Sequence, residues 1–347
     1  GILNKTKFSI YNSTGSQEKT LDLQISNPIW GSANRFLAIA ENKGKKVYLI
    51  SDKDIAWESE VEGNISQVHV NKNGYVAVVI VDTSYKTVIK TYNPQGKELF
   101  NTYLSSTRAV DVSISNDNKY LAIAEVDTSG TMIQSSIKVI SIDKASTDPT
   151  NSLENTYKGE ENKLITNIKY QNKNKLVCMY TDSIHQIENG EDITLIDNQN
   201  KKVIFQSVNL VNRACSIEEK SSGLFTADSL VNIVNIENHE IKQYTASSVT
   251  KELYTYGNII AINLGTESNI LFINSGSQAT CVLFVDYTVK CFGNGFYGEM
   301  GPQFGFLTSA KSKNKSTDLD RNPSTPVTTI VSTETDIKSM LKTTIPN

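Results

Sequence analysis

The sequence predicts an all-β fold, a β-propeller of seven four-stranded blades whose ring is closed by N-terminal strands pairing with C-terminal strands. Three observations carry this. The phrase FLAIAE at 36–41 returns as YVAVVI at 75–80 and as YLAIAE at 120–125. A period of roughly 40–45 residues is what one blade of four short strands occupies. Strand formers run in short stretches bounded by Asn, Asp, Gly and Ser, and helical patterning is scarce.

Each strand of the repeat is identified in turn. The opening phrase reads as a second strand, nearly continuous in apolar residues because neighbouring blades cover both its faces. KLVCMY at 175–180, NIIAIN at 258–263 and a weaker stretch near Leu224 read as later copies. Third strands follow at 46–52, 87–93, 137–143, 193–198, 231–238 and 269–275, ending in Asn, Asp or Ser. Polar fourth strands are expected at 55–61, 97–103 and 202–208, with Pro94, Gln95 and Gly96 as a hairpin signal. At the N-terminus, 7–12 matches a third strand, 13–15 a turn and 21–26 a fourth strand, so the chain begins mid-blade. Third strands centred on Phe8, Val47, Val88, Val139, Ile193, Ile233 and Ile270 make seven blades. Six and eight stay open, because the residues after about 276 blur the count. The propeller is assigned to 1–307, and a Ser/Thr/Lys-rich tail, 308–347, either trails or supplies closing strands at 327–334 and 336–342. Residues 144–161 and 182–191 read as polar loops on that scaffold.

Composition narrows the function. Lys and Arg (34) nearly balance Asp and Glu (37), and the formal net charge is −3. Four arginines, Arg35, Arg108, Arg213 and Arg321, stand far apart, with no basic stripe for a nucleic acid. No apolar run reaches the ~20 residues that span a bilayer. The chain opens on Gly1 rather than Met, as expected of a trimmed or a processed chain.

WESEVEGNISQVHVNKNGYVAVVI (57–80), YNPQGKELF (92–100) and DVSISNDNKYLAIAEVDTSG (111–130) carry a resemblance. Over about 15–276 the chain resembles an uncharacterised family of propeller-like proteins of Gram-positive bacteria. That resemblance implies an extracytoplasmic protein of the cell envelope, held by a membrane segment absent from this chain, and implies no activity. ATCVLFVDYTVKCFGNGFYGEMG at 279–301 resembles one repeat of the regulator-of-chromosome-condensation type. It too implies a propeller, and none of that family's binding residues is identified here.

His69 and Asp111, on first strands, are the candidates to line a central channel. Of the other histidines, His185 and His239, neither lies near His69 in sequence. Cys281 and Cys291 flank a short turn and form a candidate cross-strand disulfide, while Cys178 and Cys215 read as core. Gly293, Gly295 and Gly298 spell a dinucleotide fingerprint, but Gly301 and Pro302 follow where a helix should open. Asp318, Asp320 and Asn322 begin like a calcium loop that Pro323 and Thr329 do not complete. Trp30 and Trp57 read as wedges between blades. The sequence thus assigns no catalytic, metal or cofactor residues. It predicts a non-catalytic binding scaffold whose partner is another protein or a cell-envelope component. The alternatives are an envelope enzyme acting on glycans or through a cofactor at the channel, and a regulatory partner of the chromosome-condensation type.

Overall fold

A computed structural model of the chain describes residues 1–4, 6–11, 16–81, 83–171, 175–188, 190–221, 223, 226–246 and 248–264, with the backbone alone of 270–275, 279–284, 289–293 and 308–310. Among the described residues, antiparallel strands form seven sheets, each a meander in which consecutive strands pair. The first sheet holds β1 (Ile2–Asn4), β2 (Lys7–Tyr11) and β3 (Gln17–Asp22). The second holds β4 (Pro28–Ala33), β5 (Phe36–Glu41), β6 (Lys46–Ser51) and β7 (Asp54–Glu60). The third holds β8 (Asn64–Val70), β9 (Val76–Val81), β10 (Thr87–Tyr92) and β11 (Glu98–Leu104). In the fourth, β12 (Arg108–Ile114), β13 (Tyr120–Asp127) and β14 (Gln134–Ser141) lead through a short helix, α1 (Ile142–Thr147), to β15 (Leu153–Lys158). The fifth holds β16 (Ile165–Tyr170), β17 (Leu176–Tyr180), β18 (Ser183–Glu188) and β19 (Glu191–Asp197). The sixth holds β20 (Lys202–Ser207), β21 (Arg213–Ser221), β22 (Ala227–Asn235) and β23 (Ile241–Ala246). The seventh runs on to six strands, β24 (Glu252–Tyr256), β25 (Ile259–Asn263), β26 (Ile270–Ser275), β27 (Ala279–Phe284), β28 (Val289–Gly293) and β29 (Thr308–Ala310). This succession is that of a β-propeller.

The chain divides into two compact units, 1–10 with 17–199, and 11–16 with 200–347. Within the first unit the sheets stack face to face through successive apolar clusters. Phe8, Leu23, Ile39 and Tyr48 join the first two sheets. Ala38, Leu49, Trp57, Val68, Val78 and Tyr92 join the second and third. Val79, Ile89, Val112 and Ile123 join the third and fourth, and Ala124, Ile137, Ile168 and Cys178 the fourth and fifth. Second strands face a neighbouring sheet on each side, which is why FLAIAE and its copies are apolar at almost every position. In the second unit, Cys215, Ile217, Ile233, Ile260 and Ile262 join the sixth and seventh sheets.

Asparagine supplies a polar staircase along the turns between first and second strands. Asn71 Nδ2 donates to Ser115 O (2.9 Å) and Asn73 Nδ2 to Asn116 O (2.9 Å). Asn116 Nδ2 in turn donates to Gln171 O (2.9 Å). Each turn is tied to the turn of the next sheet. Asn34, Asn118, Asn162, Asn200 and Asn212 take positive φ, the other service this residue performs at strand ends.

Several strands differ from their predicted places. Residues 183–188, predicted as loop, form the third strand of the fifth sheet, so ITLIDN becomes its fourth strand. KVIFQSV then opens the sixth sheet instead of ending the fifth, and the second strand predicted near Leu224 is β21. The insertion at 144–161 contains β15 and most of α1. At the N-terminus β1 adds a strand the sequence reading lacks, and the fourth strand lies at Gln17–Asp22 rather than 21–26. The count of seven survives because one strand is misplaced rather than lost. The closing strands predicted at 327–334 and 336–342 lie outside the described residues.

Candidate functional site

First strands of consecutive sheets run beside one another in the first unit, and their polar side chains meet there. After a register shift between Ile65 and Gln67, alternation along β8 puts Gln67 and His69 on one face, while Val68 and Val70 are buried in the core. His69 Nε2 lies 3.1 Å from Gln67 Oε1 and 3.3 Å from Asp111 Oδ1. Two acceptors at one ring nitrogen place the proton on Nε2 and leave Nδ1 as the lone-pair nitrogen. Gln67 Nε2 donates to Val110 O (2.8 Å).

Asp111 is 6% exposed and held from two strands. Val112 N donates to its Oδ1 (2.9 Å), and Ile168 N (2.8 Å) and Asn167 Nδ2 (3.4 Å) to its Oδ2. Lys169, next on β16, lies within electrostatic reach of Asp111. Burial pushes the His69 imidazole below its usual range; Asp111 opposes this and Lys169 adds to it. Burial likewise lowers the Lys169 ammonium, again opposed by Asp111. The two residues singled out in the sequence, His69 and Asp111, therefore stand in contact, and β16 adds Asn167 and Lys169, which no sequence motif marked.

A second constellation lies in the fifth sheet. His185 Nδ1 is 2.8 Å from Asp192 Oδ1, and His185 Nε2 is 2.9 Å from Ser183 Oγ. Glu160 Oε1 lies 3.4 Å from the same Nε2, and the Tyr180 ring meets the imidazole edge-on at 4.8 Å. The order Asp–His–Ser is that of a hydrolase triad. The setting is not. Ser183 is 2% exposed, and its hydroxyl is shared with Asp182 Oδ1 at 3.4 Å. A nucleophile must reach a substrate carbonyl and face oxyanion donors. The arrangement satisfies a buried histidine, with both ring nitrogens occupied. The third histidine, His239, is exposed in the turn after β22 and joins neither group.

Of the two tryptophans, Trp57 is the predicted wedge. It is 8% exposed and meets Tyr92 at 5.3 Å across the second and third sheets. Trp30 is not: it lies on β4 and is 55% exposed. Cys178 and Cys215 are buried free thiols, as predicted. The backbone register of β27 and β28 sets Cys281 directly opposite Cys291. The residues that follow Gly293 in the glycine fingerprint, and Asp318, Asp320 and Asn322, lie outside the described residues.

Residues 2–283 match the model of a family of unknown function (DUF5711). No curated protein matches the chain. Among solved structures it is similar to Hsv2 of Kluyveromyces lactis (9% identity, TM-score 0.48, covering 88% of this chain and 92% of that one). It is also similar to the Cps50 (Swd1) β-propeller domain of Myceliophteria thermophila (10%, 0.46, 82% and 91%). BamB of Moraxella catarrhalis is a third (11%, 0.43, 86% and 81%). Likenesses at these scores carry no weight for function, and the propeller assignment rests on the sheets themselves.

Proposed function

This chain belongs to the DUF5711 family of unknown function, and we propose that it is a non-catalytic binding scaffold that presents one end of its sheets to a protein or cell-envelope partner. The observation that carries this reading is a set of exposed apolar side chains at one end of the third and fourth sheets. Tyr85, in the turn between β9 and β10, is 41% exposed and meets Tyr103, 53% exposed near the end of β11, at a tilt with ring centroids 4.7 Å apart. Met132 and Ile133, in the turn between β13 and β14, are also exposed. Antiparallel alternation brings these turns to the same end of their sheets. Tyrosine pairs of this kind recur at the centres of interfaces, where a large rigid ring is buried at small entropic cost.

Two parts of the reading come from resemblance alone. One is an extracytoplasmic place in the envelope. The other is the condensation-type repeat at 279–301. In the same reading His69 and Asp111 line the channel, and Cys281 and Cys291 are joined. The test is a double variant, Tyr85→Ala with Tyr103→Ala, compared with the wild type by cross-linking on intact cells of the source organism. Loss of a specific cross-linked species at an unchanged Tm supports the reading. An identical cross-linking pattern sinks it. The enzyme alternative keeps one observation, the His69–Asp111 contact, and requires turnover that disappears in Asp111→Asn.

A further inference from the structure

We propose that Tyr85 and Tyr103 form a site of oxidative cross-linking, where hydrogen peroxide acting through a haem peroxidase joins the two rings as dityrosine. The chemistry needs two phenols that touch, are held in place and are open to the oxidant. The ring centroids lie 4.7 Å apart with an interplanar angle of 43°. At that separation and tilt the edges of the two rings are in van der Waals contact. Both rings are exposed, and β11 is the outer strand of its sheet, so Tyr103 stands at an edge. Tyr254 and Tyr256 on β24 are exposed too, but make no ring contact with another tyrosine among the described residues.

The backbone around the pair is fixed from several sides. Thr83 Oγ1 accepts from Tyr85 N (3.1 Å) and donates to Tyr85 O (3.0 Å), which closes a local turn on Tyr85. Lys86 Nζ donates to Ser106 O (2.7 Å), tying the residue after Tyr85 to the segment after Tyr103. Next to that tie, Thr87 pairs with Leu104 and Val88 with Tyr103 in the β10–β11 ladder. Two rings held this way need no search to meet, so coupling within one molecule outruns encounter with a second. The step balances. The peroxidase takes one electron and one proton from each phenol, and each phenoxyl radical carries spin density on the carbon ortho to its oxygen. The two ortho carbons bond, and each ring moves the hydrogen of that carbon to its own oxygen. Two phenols and one hydrogen peroxide thus give one dityrosine and two waters. The new carbon–carbon bond staples the turn between β9 and β10 to the outer strand of the same sheet.

The test treats the purified full chain with hydrogen peroxide and a haem peroxidase. No partner is present, so its outcome is separate from that of the docking reading. The monomer is isolated, read for dityrosine fluorescence, and digested with trypsin for tandem mass spectrometry. Lys86, Lys90 and Lys97 lie between the two tyrosines, so trypsin parts them unless the rings are joined. A joined pair of peptides holding Tyr85 and Tyr103, lighter by two hydrogens than their sum, is expected as the main dityrosine product. Its yield is expected to hold when the protein is diluted about tenfold, because an intramolecular partner keeps its effective concentration. Tyr85→Phe and Tyr103→Phe each remove one exposed hydroxyl and keep the ring, and each is expected to abolish the joined peptides. Dityrosine found only in covalent dimers, a monomer without dityrosine, a main product that joins other tyrosines, or a monomer dityrosine yield unchanged in Tyr85→Phe overturns the proposal.

Discussion

Single residues decide the chemistry of the first-strand strip. Asp111 is the residue on which two neighbouring strands depend. Replacing it by Ala leaves Ile168 N, inside a buried strand, without an acceptor. The cost of an orphaned buried N–H is about 1–3 kcal/mol. Asp111→Ala is therefore expected to lower stability by about that amount in urea melts, with Asp111→Asn closer to the wild type because its amide oxygen still accepts. His69 adds a pH dependence. Its folded-state pKa is depressed from the ordinary 6.5, so the folded chain binds fewer protons than the unfolded chain in that range. The contribution of His69 is fully present above about 6.5 and is lost as pH falls from there through the folded-state value. The urea midpoint is expected to drop over that interval in the wild type and to drop less in His69→Gln. An equal drop in both would show that other groups govern it.

At the scale of elements, the hairpins and one polar strand carry the lesson. Gly96, in the turn predicted from Pro94-Gln95-Gly96, takes φ +80°, and a Cβ there would stand 2.7 Å from the Trp57 ring of the preceding sheet. Gly96→Ala is expected to cost about 1–3 kcal/mol, the strain of a left-handed non-glycine residue plus the displaced ring. Near-UV circular dichroism should register the movement of Trp57 as well. A variant as stable as the wild type would show that the turn relaxes freely. The polar strand is β18. Ser183, His185 and Gln186 are all buried, yet their polarity reads as loop in the sequence. The buried positions are tolerated because Asp192 and Glu160 meet His185, and Glu188 meets Gln186. One local signal was there to be used. Asn189-Gly190 is the preferred dipeptide of a two-residue hairpin, and Gly190 has φ +86°.

Over the whole molecule, the four cysteines report on the fold and its compartment together. Burial pushes the Cys178 thiol up and raises Cys215 to about 12, so neither is a thiolate at neutral pH. If Cys281 and Cys291 are linked, native protein has no thiol that reacts readily. Unfolding without reductant then exposes two thiols, and unfolding with reductant exposes all four. Counting alkylated cysteines by mass spectrometry under the three conditions checks this. Four alkylated residues in denaturant alone exclude the disulfide and weaken the extracytoplasmic assignment, since such bonds persist in oxidising compartments.

The sequence by itself determined the all-β class and the period, because a strand covered on both faces has to be apolar at nearly every position. FLAIAE, YVAVVI and YLAIAE record that burial directly. It also placed His69 and Asp111 on first strands, since those strands precede each phrase at fixed distance. Tertiary structure alone decided that these two side chains touch, that Asn167 reaches Asp111, and that Asp192 and Ser183 meet the two ring nitrogens of the buried His185. Residues 69, 111 and 167 are far apart in the chain and meet only because sheets stack. A side chain's partner across that stack leaves no local periodicity for a sequence to carry.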